Sequence, residues 1–249
     1  MASRPGGGRP PAGARIESKH LFATPLLVGR LGDPAVLSGL EESILKRRAA
    51  DPGIRRSNIG GGWHSDLQLM EWGGEPAKRL LNYVLGLVNR NTTTMNMPGR
   101  EATQSFLWHV ESWANVNEKG GANARHVHGG CYWSAVYYVR MDEGAGGELQ
   151  LFDPRMPTLA MHAPHLRFRN MGGEREVRVK PEPGLVVVFP SWLAHSVEPW
   201  QGDGIRISIA INLTAARGAA PKDTLIQQAR LAKAPAADVA AAQPEKDDL

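Results

Sequence analysis

The sequence has one cysteine and no long apolar run, and both shortages narrow the range of possible proteins. Among its 249 residues only Cys131 carries a thiol, which excludes a disulfide framework and a cysteine-rich zinc module and is typical of a reducing compartment. No stretch approaches the roughly 18 consecutive apolar residues of a membrane-spanning helix, and no apolar segment of a secretory signal follows the first residues. We therefore expect a cytoplasmic protein that has no membrane partner.

Acidic residues are also missing from the beginning of the chain. The formal net charge is +4, and residues 1–15 contain Arg4, Arg9 and Arg15 but no acid, so residues 16–249 carry only one of the four excess positive charges. The basic character belongs to a short tail and not to the rest of the protein. For this reason we expect no nucleic-acid partner.

Composition and periodicity divide the chain into four parts. Residues 1–15 are mostly Gly, Pro and Arg and are predicted to be a disordered basic tail, and residues 215–249 form an Ala-rich C-terminal tail. Residues 16–104 are predicted to be a helical segment that packs on the core. One helix should begin at Asp33-Pro34, and a second should run from about 76 to 89 with one apolar face. Residues 105–214 would then form the core of a single domain.

The periodicity changes at residue 105. From there on, six short runs rich in β-branched and aromatic residues are separated by Gly and Pro. They are SFLWHVESWANVN, CYWSAVYYVRM, GELQLFD, REVRVK, GLVVVFPS and RISIAINL. Because no helix is predicted between these strands, the pattern favours an antiparallel sandwich or barrel, most naturally a jelly roll, with the helices packed outside. The predicted fold class is mainly β with flanking helices.

Three of the eight histidines are placed where a metal site could use them. His126 and His128 are two residues apart in ARHVHGG, at the end of a predicted strand. Residues i and i+2 of a strand project from the same face, so both imidazoles can reach one ion. His195 lies between the predicted strands GLVVVFPSW and RISIAINL. A single histidine is most often a structural core residue, and the spacing alone leaves both interpretations open.

Arg206 and Ser208 share one face of the strand RISIAINL, whereas the isoleucines at positions 205, 207, 209 and 211 point the other way. An inward arginine on an apolar strand is costly unless a carboxylate meets it. The planar guanidinium suits bidentate binding of a carboxylate, and the Ser208 hydroxyl can add a third hydrogen bond. The alternative is a structural ion pair with a nearby acid such as Glu198.

These residues together resemble a known family. Residues 113–213 are similar to the double-stranded β-helix core of iron(II)- and 2-oxoglutarate-dependent oxygenases, and most to a small bacterial and phage group of 2OG-Fe(II) oxygenases with an H-x-H motif. The similarity is carried by NEKGGANARHVHGGCYWSAVYYVR, GGELQLFDPR and PGLVVVFPSWLAHSVEPWQGDGIRISIAIN. Members of the superfamily have a first metal histidine, a last histidine far downstream and then an Arg or Lys. His126, His195 and Arg206 match these positions, and Ser208 completes an Arg-x-Ser form known in the superfamily.

The resemblance implies three iron ligands, and the third is open. Members usually have an acid two residues after the first histidine, where this chain has His128. His128 could bind iron directly and complete a three-histidine site, since neutral imidazole suits Fe(II). A water or a more distant acid is the alternative, and Glu148 and Asp153 are the nearest candidates in sequence.

The resemblance also implies cofactors and a reaction. Iron(II), 2-oxoglutarate and O2 would be used to hydroxylate an unactivated C–H bond of a small molecule, amino acid or peptide, with release of succinate and CO2. Arg206 and Ser208 would hold the distal carboxylate of 2-oxoglutarate. Asn117 lies where prolyl-4-hydroxylase-like members have a tyrosine and could hydrogen-bond the cosubstrate, although an Asn near a turn more often caps backbone.

Two other functions remain open at this point. A cupin-like metalloenzyme with three histidine ligands would use oxygen without 2-oxoglutarate. A jelly-roll binding module with structural histidines would have no catalytic activity.

Five further residues are candidates for a substrate pocket. Trp63 and His64 lie in a glycine-rich loop that could fold over the barrel mouth, although Trp63 could equally anchor that loop to the core. Trp133 and Tyr137 belong to an aromatic strand of which some side chains must be core. Trp192, three residues before His195, is similarly ambiguous.

Overall fold

The computed structural model describes residues 21–93, 106–156 and 175–215, together with Gly13, Thr158 and Met161. Apart from Gly13 and Ala215, the two predicted tails at 1–15 and 215–249 lie outside the described residues.

Two long helices form at the predicted places. Helix α1 (Pro34–Ala50) begins after Asp33, whose carboxylate accepts a hydrogen bond from the Ala35 backbone N–H at 2.9 Å, and Pro34 occupies the first turn. A short helix, α2 (Leu69–Trp72), precedes α3 (Gly74–Arg90). None of the helices in the described part of the chain is long and apolar enough to cross a membrane.

Eleven strands build two antiparallel sheets within the described residues. The larger sheet has the order β1-β9-β6-β11-β4-β3, and the smaller has the order β2-β5-β10-β7-β8. The strands are β1 (Leu27–Arg30), β2 (Asn58–Ile59), β3 (Gly62–His64), β4 (Trp108–Asn117), β5 (Ala122–His126), β6 (Trp133–Met141), β7 (Leu149–Phe152), β8 (Glu176–Val179), β9 (Leu185–Pro190), β10 (His195–Val197) and β11 (Arg206–Ala215). The predicted fold class, mainly β with flanking helices and a jelly-roll core, is confirmed.

The six runs predicted as strands correspond to β4, β6, β7, β8, β9 and β11. The short strands β1, β2 and β3 lie before residue 105. Strands β1 and β3 belong to the larger sheet and β2 to the smaller, so the segment 16–104 contributes strands as well as helices. The boundaries of the predicted domain division stay a prediction.

The two faces of the larger sheet bury different groups. On β11 the residues Ile207, Ile209, Ile211 and Leu213 pack in one hydrophobic cluster with α1 and α3. A second cluster joins residues of β6 and β9 to Leu149 and Leu151 of β7, and it therefore lies between the two sheets. Because successive side chains of a strand alternate, Arg206 and Ser208 face the space between the sheets.

The register of the larger sheet arranges its inward residues in rows. Strand β11 pairs with β4 and with β6, and the rows can be read from these pairs. From the Arg206 end they are Arg206 with Asn117, Ser208 with Asn115 and Tyr138, Ala210 with Trp113 and Val136, and Asn212 with Glu111 and Ser134. These four rows position the groups described below.

The apolar face of α3 should carry much of the stability of the protein. Leu80 is fully buried in the cluster between α3 and the larger sheet. We expect Leu80→Ala to lower the free energy of unfolding by about 2–5 kcal/mol, because it removes apolar contacts and leaves a cavity. Urea denaturation measures this change. The exposed Lys78→Ala on the same helix should change it by less than about 0.5 kcal/mol, and equal losses in both variants would contradict the assignment of the buried face.

Candidate metal centre

Three histidines come together where the smaller sheet meets a loop. Strand β5 ends at His126 and strand β10 begins at His195, and the two residues are directly paired across the sheet. His128 lies two residues beyond the end of β5. One nitrogen of each ring lies within 4.8 Å of the others, so the three side chains could hold a single metal ion.

The way in which His128 reaches this position differs from the prediction. The same-face argument assumed that β5 continues through residue 128, but the strand ends at His126. His128 instead begins a loop, where its backbone N–H donates to the Ser191 carbonyl at 3.0 Å. Its ring lies edge-on to Trp113, with 5.6 Å between the ring centroids. Loop geometry and aromatic packing therefore bring His128 to the other two histidines.

Backbone carbonyls orient two of the three imidazoles. The Nδ1 of His126 lies 2.7 Å from the Ala124 carbonyl, and the Nδ1 of His195 lies 2.9 Å from the Leu193 carbonyl. A carbonyl can only accept, so Nδ1 carries the hydrogen in both rings and Nε2 keeps its lone pair for a metal. Among the described residues the ring of His128 has no such hydrogen bond.

Burial keeps these imidazoles neutral. Desolvation, together with the neighbouring His126, lowers the pKa of His195 to about 3 and that of His128 to about 4. Desolvation also lowers the pKa of His126 below 6.5. Neutral imidazole is the form that binds a metal ion, so the site is ready to do so at neutral pH.

The acidic alternatives for the third ligand are engaged elsewhere. Asp153 forms an ion pair with Arg155 at 2.8 Å, and the hydrogen bonds from Arg155 lower the pKa of its carboxyl. Glu148 lies 3.8 Å from Arg178. In the described part of the chain, the group that could hold a metal at this place contains histidines and no carboxylate.

Arg206 is buried at the floor of the space between the sheets. It is only 1% exposed. Its Nε donates to the Gly147 carbonyl at 3.1 Å, and one terminal nitrogen donates to Ser208 Oγ at 2.9 Å and to Asn117 Oδ1 at 3.4 Å. The other terminal nitrogen is buried without a hydrogen-bond partner among the described residues. A buried donor left in this state is costly, so the site favours an added acceptor.

No acidic side chain compensates Arg206 within the described residues. Its predicted alternative partner, Glu198, is bound to Arg178 at 2.5 Å and to Gln150 at 2.9 Å, so that alternative is wrong. Burial lowers the pKa of Arg206 from its usual value. The neighbouring groups of Arg206 are neutral oxygen atoms and the ring of Tyr138, whose centroid lies 5.2 Å from the guanidinium carbon.

A glycine is required beside Arg206. Gly147 has φ +69°, and a Cβ on it would lie 2.8 Å from Arg206 Cδ. Both its backbone conformation and its close contact therefore exclude larger residues. The predicted motif GGELQLF contains this glycine, but its role depends on a contact across 59 residues that sequence spacing does not reveal.

Two further residues that the sequence analysis did not assign to the site are candidates for it. The Tyr138 hydroxyl and the Asn115 side-chain oxygen are buried without hydrogen-bond partners among the described residues, and both residues pair with Ser208 across the sheet. Burial raises the pKa of Tyr138, which keeps its hydroxyl neutral. We call the group formed by Arg206, Ser208, Asn117, Asn115 and Tyr138 the polar recess. The only sequence signal for Tyr138 was its place next to Tyr137 in the run VYY, since neighbouring residues of a strand face opposite sides of the sheet.

His64 and Trp63 point to opposite sides of the larger sheet. His64 is buried and stacks on Trp113, with 5.3 Å between the ring centroids and an interplanar angle of 11°. Trp113 in turn contacts His128. Trp63 packs in the cluster with the helices, and its Nε1–H donates to the Asp51 carbonyl at 2.9 Å. This contact agrees with the alternative interpretation of Trp63 as an anchor.

Of the other predicted pocket residues, two face the helices and one is exposed. Trp133 and Tyr137 face the helices, where Trp133 Nε1–H donates to Thr92 Oγ1 at 2.9 Å and the Tyr137 hydroxyl donates to the Leu31 carbonyl at 2.8 Å. Alternation along β6 turns these two residues outward and Tyr138 inward, which corrects their predicted place in the pocket. Trp192 is 55% exposed on the turn before β10.

Comparison with known proteins supports the resemblance inferred from the motifs. A model of the family described as "Putative 2OG-Fe(II) oxygenase" matches residues 111–212, which include the three histidines and Arg206. No curated protein matches the chain. The predicted resemblance to 2OG-Fe(II) oxygenases is confirmed. The predicted cofactors iron(II) and 2-oxoglutarate agree with the family description, and the three-histidine group is present.

Solved structures of similar fold include prolyl hydroxylases and an epimerase. A Pseudomonas putida prolyl-4-hydroxylase matches 78% of this chain and 93% of its own, with 19% identity and a TM-score of 0.54. A Trichoplax adhaerens prolyl hydroxylase, in complex with a peptide of hypoxia inducible factor, matches 76% and 83%, with 16% identity and a TM-score of 0.52. The epimerase SnoN, in complex with Fe3+, alpha ketoglutarate and nogalamycin RO, matches 76% and 78%, with 12% identity and a TM-score of 0.53. At these identities the likeness shows the fold.

The neutral histidines should make the metal-free protein sensitive to mild acid. In the unfolded chain these residues take up protons near pH 6.5, whereas the pKa of His128 is about 4 and that of His195 about 3 in the folded protein. The unfolded state therefore binds more protons, and the free energy of unfolding should fall as the pH drops from about 7 to about 5. Urea denaturation at several pH values measures the slope. His195→Gln should flatten it, and an unchanged slope in this variant would contradict the assignment.

Metal binding distinguishes the candidates for the third ligand. Because His128 lies with the other two histidines, we expect His128→Ala to weaken Mn(II) or Co(II) binding by more than the roughly 10–100-fold that is typical of removing a group that only orients a ligand. Glu148→Gln and Asp153→Asn are matched controls and should leave the affinity unchanged. Titration calorimetry on the purified protein measures all four affinities. Loss of binding in either acid variant but not in His128→Ala would identify the acid as the ligand.

Proposed function

We propose that this protein is an Fe(II)- and 2-oxoglutarate-dependent dioxygenase that hydroxylates an unactivated C–H bond of a small molecule, amino acid or peptide. The observation that carries the proposal is the buried Arg206, which has a free donor, no acidic partner among the described residues and a row of unsatisfied polar atoms beside it. The three histidines that could hold a metal ion are close by, since the ring of His195 packs on Phe189 of the cluster between the sheets.

The three histidines fit iron(II). Each offers one neutral nitrogen, and nitrogen ligands suit Fe(II). Three protein ligands leave coordination positions free, as an oxygenase needs for its cosubstrate and for O2. His126, His128 and His195 would hold the metal. The hydrogen bonds to the Ala124 and Leu193 carbonyls would fix the rings of the first and last of these.

The polar recess fits one carboxylate of 2-oxoglutarate. The guanidinium of Arg206 supplies the charge and a free N–H, and the hydroxyls of Ser208 and Tyr138 can add hydrogen bonds. Asn117 already accepts from Arg206 at 3.4 Å and holds the guanidinium in place. In this interpretation Asn117 acts on the cosubstrate through Arg206.

When bound, iron(II) and 2-oxoglutarate supply the oxidising chemistry, in which O2 converts 2-oxoglutarate to succinate and CO2 while one oxygen atom enters a substrate C–H bond. The chain itself contributes position and electrostatics. Arg206 neutralises a carboxylate in a space from which water is largely excluded, where a charge pair is stronger than at the surface. The apolar residues Phe189, Leu151 and Val187 exclude water from the same space.

The three-histidine set also suits an oxygenase that works without 2-oxoglutarate, as cupin-like metalloenzymes do. The polar recess argues against that alternative, because in an enzyme that does not use 2-oxoglutarate the buried Arg206 would have no carboxylate to bind. A binding module without catalysis is disfavoured for the same reason, because Arg206 and His195 are buried and His126 and His128 are half-buried, each at a cost in desolvation. The cytoplasmic location and the substrate class stay predictions.

Turnover of 2-oxoglutarate tests the proposal. The iron-loaded protein should release succinate from 2-oxoglutarate, and a screen for substrates that stimulate this release measures the activity. Arg206→Lys should weaken 2-oxoglutarate binding by about 10–100-fold, because one ammonium cannot both keep the contacts to Gly147, Ser208 and Asn117 and offer a free donor to the carboxylate. Tyr138→Phe should have a smaller effect in the same direction.

Arg30→Lys is the matched control, since Arg30 is exposed and paired with Glu182 on the surface. Circular dichroism should show that all three variants are folded. Oxygen uptake that does not depend on 2-oxoglutarate, or an Arg206→Lys variant with unchanged affinity for it, would overturn the proposal.

A further inference from the structure

A second polar row lies in the space between the sheets, on the side of the histidines away from Arg206. It consists of Glu111, Asn212 and Ser134, which are paired across β4, β11 and β6. Glu111 is partly exposed, whereas Asn212, Ser134 and Arg206 are buried, so this row meets solvent at Glu111. We call these three residues, together with Ser191, the outer polar row.

The outer polar row is adjacent to the histidines. The Ser191 carbonyl accepts from the backbone N–H of His128 at 3.0 Å. Ser134 pairs with Phe189, whose ring lies 4.8 Å from that of His195. A molecule bound at the outer polar row would therefore lie close to a metal held by the histidines.

The hydrogen bonds within the outer polar row have defined donors and acceptors. Ser134 Oγ lies 2.9 Å from Asn212 Oδ1 and 3.0 Å from Ser191 Oγ. Asn212 Oδ1 can only accept, so Ser134 donates to it, and Ser191 donates to Ser134. The carbonyl of the Asn212 side chain is thereby satisfied. In the described part of the chain its amide N–H groups have no acceptor, and they keep some contact with solvent although the residue as a whole is only 4% exposed.

Glu111 places an acceptor directly opposite this donor. It pairs with Asn212 in the register of β4 and β11, and it lies on the same face of β4 as Trp113. The ion pairs formed within the described residues do not include Glu111. Side chains at directly paired positions have Cβ atoms about 4.5–5.5 Å apart, so a neutral N–H donor and a carboxylate stand next to each other.

We propose that Asn212 and Glu111 bind the substrate and that the substrate is a free α-amino acid. Its carboxylate would accept from the Asn212 amide, and its ammonium group would donate to the Glu111 carboxylate. This inference rests on the proposed function, since it assumes that the neighbouring histidines hold the reactive metal.

The balance of charge favours a substrate without net charge, and a zwitterion meets this condition. A divalent metal on three neutral imidazoles, with Arg206 and a 2-oxoglutarate dianion, leaves one positive charge in excess. Glu111 compensates that charge. A zwitterionic substrate adds no net charge, whereas a simple cation or anion would leave one charge unpaired in a space of low dielectric constant.

Binding of free amino acids tests the inference. The protein loaded with iron(II) and 2-oxoglutarate is titrated without oxygen by calorimetry with the twenty L-amino acids, and succinate formation is then measured in air. At least one amino acid should bind and stimulate succinate release. Its N-acetyl derivative, which lacks the ammonium group, and its carboxamide, which lacks the carboxylate, should each bind about tenfold or more weakly.

Two variants separate the roles of the subsite residues. Glu111→Gln should weaken amino-acid binding by about 10–100-fold because it removes a charged hydrogen-bond partner. Asn212→Asp keeps an acceptor for Ser134 but replaces the amide donor with a negative charge, and it should weaken binding at least as much. Glu42→Gln, on the exposed face of α1, is the control and should have no effect.

The two proposals fail in different ways. In both subsite variants the affinities for Mn(II) and for 2-oxoglutarate should equal those of the wild type, since neither residue belongs to the histidine group or the polar recess. Normal binding of metal and 2-oxoglutarate with no binding of any amino acid, or equal binding of the N-acetyl derivative, would overturn the subsite alone. Failure of the wild type to bind 2-oxoglutarate would overturn the proposed function.

Discussion

The alternation of side chains along β4 and β11 is the constraint on which the rest of the structure depends. The two strands pair over ten residues without a register shift. Ile207 and Ile209 therefore face the helices, while Arg206 and Ser208 face the space between the sheets. A slip of one residue would bury the guanidinium against α3 and move the isoleucines into the polar recess. The packing of the helices and the chemistry of the recess are thus two consequences of one register, and neither can change alone.

The same register places the positive charge of Arg206 in the polar recess, none of whose residues is acidic. Arg206 is buried with neutral partners, and the neighbouring imidazoles are held neutral by burial. A metal ion bound by neutral ligands would add two further charges. Such an interior is stabilised by an anion that binds the folded state only, because ligand binding then adds to the free energy of folding. The buried guanidinium is understandable as a group kept for a ligand at some cost to the stability of the empty protein.

The parts of the site that depend on local pattern could be predicted from the sequence. Two-residue periodicity predicted that Arg206 and Ser208 share one face of a strand and that the neighbouring isoleucines share the other, and the structure has them so. Contacts between distant segments could not be predicted in this way. Gly147 touches Arg206 across 59 residues, and Trp133 and Tyr137 were assigned to the pocket because an aromatic run does not reveal which face is inward. The major helices were predicted from their periodicity, whereas β2 and β3, with two and three residues, are too short to produce a period. The inward face of a strand follows from its partners, which a single sequence does not show.

His128 connects the metal site to the outer polar row. Its ring is positioned by packing against Trp113, which itself stacks on His64, and no ring hydrogen bond holds it among the described residues. Packing is less directional than a hydrogen bond, so His128 can shift more easily than the other two histidines. Its backbone N–H binds the Ser191 carbonyl, and the Ser191 hydroxyl begins the chain of hydrogen bonds that ends at Asn212. Ser191 therefore contacts both sites. A molecule that binds the Asn212 amide is connected through Ser134 and Ser191 to the backbone of His128. The least constrained of the three candidate ligands is thus the one connected to the proposed substrate subsite.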